Sequence, residues 1–236
     1  MTISVVIPAH NEEKYIGRTL ECVVENAPSN LLEIIVVNNA STDNTARVAA
    51  AFPKVRVVNE TKKGITQARQ AGLNASNGEL VACVDADTWL SKQWFEILNR
   101  EFEQDSNLVC LSGPYWYREF SPFKNFFVQL WYLVAKFIAV FTGYLVQGGN
   151  FVVKRQALLK AGGFDTSIAF YGEDTDIAQR MHGMGKVKFL MSFRAASSAR
   201  RIIEEGFLKI GWTYAINFFS IIFSKKPTTK NYKDIR

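Results

Sequence analysis

Four short apolar runs, each closed by a polar cluster or turn, constrain this chain more than any other feature. Ile3-Ser4-Val5-Val6-Ile7 stops at Pro8, and Glu33-Ile34-Ile35-Val36-Val37 stops at Asn38. Val55-Arg56-Val57-Val58 and Glu79-Leu80-Val81-Ala82-Cys83-Val84 come next, with helical patterns over residues 12–24, 43–51 and 66–75 between them. Near-continuous apolar strands that alternate with helices indicate a parallel sheet covered on both faces. The fold class is therefore α/β. In open sheets of this kind, ligands sit beyond the carboxyl ends of the strands. Three polar clusters follow such ends: Pro8-Ala9-His10-Asn11-Glu12, Asn38 to Asp43, and Asp85-Ala86-Asp87.

Composition narrows the classes further. At 48% hydrophobic and 21% charged over 236 residues, the chain can bury a sizeable core and lies far from disordered compositions. Its cysteines, Cys22, Cys83 and Cys110, are odd in number and scattered, which speaks against a disulfide framework or a thiolate zinc site. Met1 leads straight into a strand pattern without a basic, cleavable leader, so folding in a reducing compartment is expected. The net charge is +6, and Lys225 to Arg236 supply +4 of it (five cations against Asp234). Such a tail suits nucleic acid, an anionic membrane surface or plain solvation.

Phe126 to Val146 is almost wholly apolar and long enough to span a bilayer. Asn125, Gln129, Tyr132 and Lys136 nevertheless recur at helical spacing, and a central lysine costs several kcal/mol in a spanning helix. The stretch reads as an amphipathic helix, either buried or lying in a membrane interface. A second stretch, Ile202 to Phe223, carries Glu205, Lys209, Thr213, Asn217 and Ser220 near one face and runs into the basic tail.

Asp85 and Asp87, at i and i+2 beyond a buried strand, can hold a hard divalent cation whose other ligands are phosphate oxygens and water. Such an ion offsets charge on a departing phosphate. In the second cluster, Ser41 and Asp43 equally suit helix capping. Asn38 and Asn39 end a buried strand and need partners, which an asparagine could find on the edge of a nucleobase.

In order and spacing, Pro8 to Glu12, Asn38 to Thr45, Gly64 with Arg69 and Gly72, and Asp85-Ala86-Asp87 resemble the family 2 inverting glycosyltransferases. So do Gly148-Gly149-Asn150, Gly162-Gly163-Phe164-Asp165 and Glu173-Asp174. The resemblance covers about residues 2–190. It implies the GT-A fold, a Rossmann-like mixed, mostly parallel sheet flanked by helices, over residues 1–196. An amphipathic helical extension and basic tail would fill residues 197–236. By the same resemblance, Pro8, Ala9, His10, Asn11, Glu12, Asn39 and Arg69 would contact the nucleoside or its phosphates. Asp85 and Ala86 would lie at the ribose, and Asp87, with Asp85, would ligate Mn2+ or Mg2+. Asp174 would be the general base, with Gly149, Asn150 and Glu173 shaping the sugar pocket.

Three departures stand out. Asn39 replaces an aspartate associated with reading uracil, so a UDP-sugar is expected but a different base stays open. His10 and His182 both lie away from the usual final metal-ligand position, and neither is expected to be catalytic. Ser198-Ala199-Arg200-Arg201 stands there instead, as in a bacterial membrane-associated subgroup, and its two arginines could clamp a diphosphate. The expected acceptor is a glycan or lipid-linked glycan at the cytoplasmic face of the cell membrane, for envelope polysaccharide or glycolipid synthesis, with peripheral membrane contact and no nucleic-acid partner. The alternatives are a sugar-nucleotide nucleotidyltransferase, though Pro8 to Tyr15 is no triphosphate loop, and a silent binding protein of the same fold.

Overall fold

In the computed structural model, the structure describes residues 1–168, 170–224 and 227–229. The first half runs β1 (Ile3–Ala9), α1 (Ile16–Glu25), β2 (Leu31–Asn39), α2 (Thr45–Ala50), β3 (Val55–Glu60), α3 (Ile65–Ala75) and β4 (Leu80–Val84). Next come β5 (Thr88–Trp89), α4 (Lys92–Gln104), β6 (Leu108–Ser112), β7 (Tyr115–Tyr117) and α5 (Pro122–Thr142). The chain continues through β8 (Asn150–Lys154), α6 (Arg155–Lys160), α7 (Glu173–His182), β9 (Lys186–Phe189) and β10 (Ala195–Ser197). The last helices are α8 (Arg200–Glu205) and α9 (Phe207–Ser224). The Lys225–Arg236 tail lies outside the described residues apart from 227–229.

Seven strands form one sheet in the order β3-β2-β1-β4-β8-β6-β9, with β8 antiparallel to both its neighbours and the other pairings parallel. The expected mixed, mostly parallel sheet is what these residues form. Every residue of β1 and β4 is buried, because helices cover both faces and leave no room for polar alternation. Two apolar layers result, one centred on Val5, Ile34 and Phe95 and the other on Val6, Ile35 and Phe151. The strand order turns about β1, whose neighbours are β2 on one side and β4 on the other. The crevice beyond the carboxyl ends of β1 and β4 is therefore the place for a ligand.

Two further pairings bring distant segments to that crevice. Because β8 runs antiparallel to β4, its first residue, Asn150, faces Val84 at the end of β4. A smaller sheet, β5-β10-β7, places Ser198 beside the acidic turn, and the Ser198 N–H donates to the Asp87 carbonyl at 3.2 Å. The expected division after residue 196 thus cuts through β10. The segment after β10 is built into the same crevice.

The long apolar helix starts earlier and stops sooner than its hydropathy suggests. Ser121 caps α5 by accepting the Lys124 N–H, Pro122 occupies the first turn, and Gly143 ends the helix at φ 81°. The stretch expected as one helix over Ile202–Phe223 is two, broken at Gly206 with φ 88°. A side chain is strained at that backbone angle, so glycine marks the corner.

Candidate active site

The crevice holds a cavity of about 360 Å³ lined by Pro8, Ala9, His10, Glu12, Asn39, Arg69, Asp85, Ala86, Asp87, Glu173, Asp174, Arg200 and Arg201. Residues from both ends of the chain therefore meet at one wall. Asn11, Gly149 and Asn150 lie outside that lining and serve it indirectly.

The β1 and β2 exits are latched to each other. Asn11, at φ 54°, accepts the Thr42 N–H at 2.7 Å, while its own N–H donates to Ser41 Oγ at 3.0 Å. Glu12 N–H donates to Thr45 Oγ1, and Asp43 accepts from the N–H groups of Glu13 and Thr45. Ser41 and Asp43 thus join loops, and the cap position of α2 falls to Asn44. His10 Nδ1 donates to the Asn39 carbonyl at 2.7 Å. Asn38 pairs with Asn59. Asn39 is 4% exposed, and its amide donates to the carbonyls of Glu60 and Lys62 while its oxygen accepts the Gly64 N–H at 2.8 Å. One carbonyl lone pair at most remains for a nucleobase.

Arg69 forms part of the cavity lining although only 1% exposed. Its guanidinium pairs with Asp85 Oδ1 at 3.1 Å and with Glu173, so it holds two wall carboxylates in place. The two carboxylates keep this buried guanidinium firmly protonated, against the desolvation that opposes its charge. Asp85 Oδ2 also lies 3.2 Å from Tyr115 OH, which lies 2.9 Å from the Gly148 carbonyl. Gly149 has φ 77°, and a Cβ there would collide with the Asp85 carboxylate and Tyr115 OH. Only glycine allows that approach. Asn150 is fully buried, accepting from Trp94 Nε1 at 2.8 Å and donating to the carbonyls of Gly113 and Phe193. Its amide belongs to the support of the site.

Asp87 is 13% exposed at the side chain, and burial pushes it up to about 7. Arg200 opposes that shift, while Asp85 and Glu12 add to it. Arg200 Nε lies 2.9 Å from Asp87 Oδ2, Nη2 lies 2.7 Å from Glu12 Oε1, and the guanidinium stacks on Tyr15 at 4.5 Å. Glu119 positions this segment, accepting from Ser198 Oγ and the Ala199 N–H. Arg201 turns to Glu205 at 3.0 Å and to the Phe170 ring at 4.7 Å.

Asp174 sits in the first turn of α7, where the helix dipole favours negative charge. Burial raises its pKa from the ordinary aspartate value, against the Thr175 N–H, Arg69 and the Gly148 N–H. A half-buried carboxylate of raised basicity is suited to taking a proton. Among the described residues no cluster of three acidic, histidine or cysteine ligands occurs. Asp85 and Asp87 would supply only part of a cation's ligands, the rest coming from a bound phosphate and water. His182 packs near Tyr144 at the far end of α7, away from this chemistry. Sequence reasoning passed over Tyr115, although it follows the β6 exit as the other clusters follow theirs. Tyr214, on α9, carried no local signal.

The fold matches that of solved glycosyltransferases. A mannosyltransferase from Pyrobaculum calidifontis, in complex with GDP-Man and Mn2+, superposes with a TM-score of 0.71 and 22% identity, over 94% of this chain and 63% of that one. Glucosyl-3-phosphoglycerate synthase from Mycobacterium tuberculosis, with Mn2+, UDP-glucose and phosphoglyceric acid, gives 0.63 and 22% over 93% and 79%. These likenesses show the GT-A fold. By sequence, the chain is 29% identical over 208 residues to a probable glycosyltransferase, YdaM, of Bacillus subtilis, covering 78% of this chain and 47% of that relative. It is 33% identical over 122 residues to glycosyltransferase GlyG of Streptococcus pneumoniae, covering 50% and 40%. The chain thus spans less than half the length of these relatives. The model of glycosyl transferase family 2 matches residues 4–161, more than half of the chain, and the protein is a glycosyltransferase of that family.

Proposed function

We propose that this chain transfers a sugar from a nucleoside diphosphate donor, uridine diphosphate first among the candidates, to an acceptor hydroxyl or phosphate with inversion at the anomeric carbon. One observation carries the reading: Asn39, Asp85, Asp87, Asp174 and Arg200 line a single cavity although they come from separate segments of the chain. Pro8 to His10 and Asn39 would flank the nucleoside. Asp85 and Asp87 would hold Mn2+ or Mg2+, which supplies Lewis-acid stabilisation of the diphosphate when bound. Arg200, already at the cavity wall, would meet the diphosphate oxygens, a role its planar guanidinium suits. Asp174 accepts the proton of the acceptor oxygen as that oxygen bonds to the anomeric carbon and the bond to the diphosphate breaks. Arg69 and Glu173 keep the wall in register for this step.

The acceptor is read as a lipid-linked glycan at a membrane surface. Support comes from helix α5, whose Asn125, Gln129 and Tyr132 face inward: Asn125 bonds both backbone groups of Tyr117, Gln129 the Tyr115 carbonyl, and Tyr132 the Gln147 side chain. Phenylalanines on its other sides consequently point outward, with Phe123, Phe137 and Phe141 between 67% and 82% exposed. Trp212 on α9 is 70% exposed. Apolar area of this extent is costly in water and suits an interface. Among the described residues, α5 is also the one helix long and apolar enough to cross a membrane.

A thermal-shift panel of nucleoside diphosphates and their sugars with Mn2+, followed by assays of metal-dependent donor hydrolysis and transfer, tests the donor half. Binding of one sugar nucleotide with turnover supports the reading. Binding without turnover assigns a silent protein, and turnover of a nucleoside triphosphate with a sugar phosphate assigns nucleotidyl transfer. Flotation with anionic vesicles tests the membrane half. The full chain should float, and Phe137→Ser combined with Trp212→Ser should weaken flotation; failure of the full chain to float would remove the membrane claim, and equal flotation of the two would remove these residues from it.

A further inference from the structure

The site cavity does not end at the carboxylates. Beyond Asp174 it continues between α5 and α9, where it is walled by Val128, Trp131 and Ala135 on one side and Ile210, Tyr214 and Phe218 on the other. These positions repeat at spacings of three and four, so each helix presents one stripe to the gap. The helices approach each other at Trp131 and Gly211, where an added methyl would touch the indole at 3.9 Å. Tyr132 and Tyr214 also line the space, and burial foremost, with the charge of nearby Asp174 adding to it, raises their pKa values. Tyr214 is fixed edge-on against Tyr171, two residues before Glu173. Polar chemistry thus occupies one part of the lining, and apart from Asn217 the α9 residues and their α5 counterparts that wall the rest are largely apolar.

We infer that the α5–α9 passage is a subsite for the hydrocarbon chain of the acceptor, which leads its reacting oxygen to Asp174. The inference rests on the lipid-linked acceptor proposed above and names the residues that would hold the chain. Continuity with the reacting carboxylate argues for the acceptor as occupant: a partner protein covering only the outer faces would leave this inner passage unused. The cations of residues 225–236 come after α9 in sequence and complement an anionic head group or surface.

The test uses the full-length protein with hexadecyl phosphate bearing a diazirine near the chain end, and residue-level mass spectrometry after irradiation. Labels are expected on passage residues such as Val128, Ala135 and Ile210. Excess unlabelled hexadecyl phosphate should remove them, and inorganic phosphate should not. Ala215→Trp places an indole in the passage from the α9 side and should lower labelling at least ~10-fold, while Mn2+-dependent nucleoside diphosphate binding changes less than about twofold. Ala135→Trp does the same from the α5 side should Ala215→Trp lose nucleotide binding. Labels confined to Phe137, Phe141 and Trp212, and unchanged by either substitution, would overturn the passage while leaving membrane contact standing. Absent labelling with sedimentation as a dimer would overturn it in favour of a second copy. Passage labelling without any sugar transfer would keep the subsite and remove the enzymatic reading.

Discussion

Arg200 Nε lies 2.9 Å from Asp87 Oδ2, so a guanidinium faces the carboxylate that is read as a metal ligand. The same side chain reaches Glu12, which ties the entry to α8, the β4 exit and the β1 exit into one charged contact. Cation and guanidinium would thus both draw on Asp87.

Arg200→Ala should therefore lower stability by about 1–3 kcal/mol, since it leaves two poorly solvated carboxylates facing each other. Mn2+ should restore more of the melting temperature in this variant than in the parent protein. Thermal scans with and without the ion check both parts, and an equal Mn2+ shift in the two proteins contradicts the shared use of Asp87.

Asp174→Asn should cut turnover at least ~10²-fold while nucleoside diphosphate affinity stays near its original value. Steady-state rates and calorimetry separate the two effects. Near-normal turnover would sink the proton-acceptor role.

The Mn2+-induced thermal shift should be larger at high pH than at low pH. Burial holds Asp87 up to about 7, above its unfolded-state value. In the metal-free protein its contribution to stability is fully present below that unfolded value and is lost as pH rises through about 7. A cation displaces the proton, so its benefit grows over the same window. A shift that is flat between acid and neutral pH would show that Asp87 does not bind the ion.

Asn39→Asp should cost about 1–3 kcal/mol, because the new carboxylate faces the Glu60 and Lys62 carbonyls that now accept from the amide. Nucleobase preference should stay as it was. Urea unfolding and the nucleotide panel test this, and a clear gain in uridine selectivity without destabilisation would assign base reading to this side chain.

Gly149→Ala should destabilise the protein by at least about 2 kcal/mol and abolish metal-dependent nucleotide binding, since the methyl would displace Asp85. Retained binding would show that the β8 entry can shift away from the carboxylate.

Much of the architecture was legible in the chain as written. Apolar runs without alternation implied strands buried on both faces, and their polar endings marked the crevice, because strand ends in a parallel sheet meet at one edge. Ser121, Pro122 and Gly143 carried the limits of α5, although hydropathy alone displaced it. Arg69 and Asn150 both resemble ligand contacts in sequence; the structure puts Arg69 in the cavity lining, paired with Asp85 and Glu173, and Asn150 in a buried network outside it. A local motif records that a polar group is required but not whether its partner is substrate or protein.

Sequence by itself determined the alternation of strands and helices, the acidic turn after β4 and the inward-or-outward ambiguity of two aromatic helices. Only tertiary structure decided the rotation of α5 and the partner of Arg200. A polar stripe has the same spacing whichever way it faces, and its direction was set by the backbone of β7, which needed Asn125 and Gln129 to satisfy its buried carbonyls.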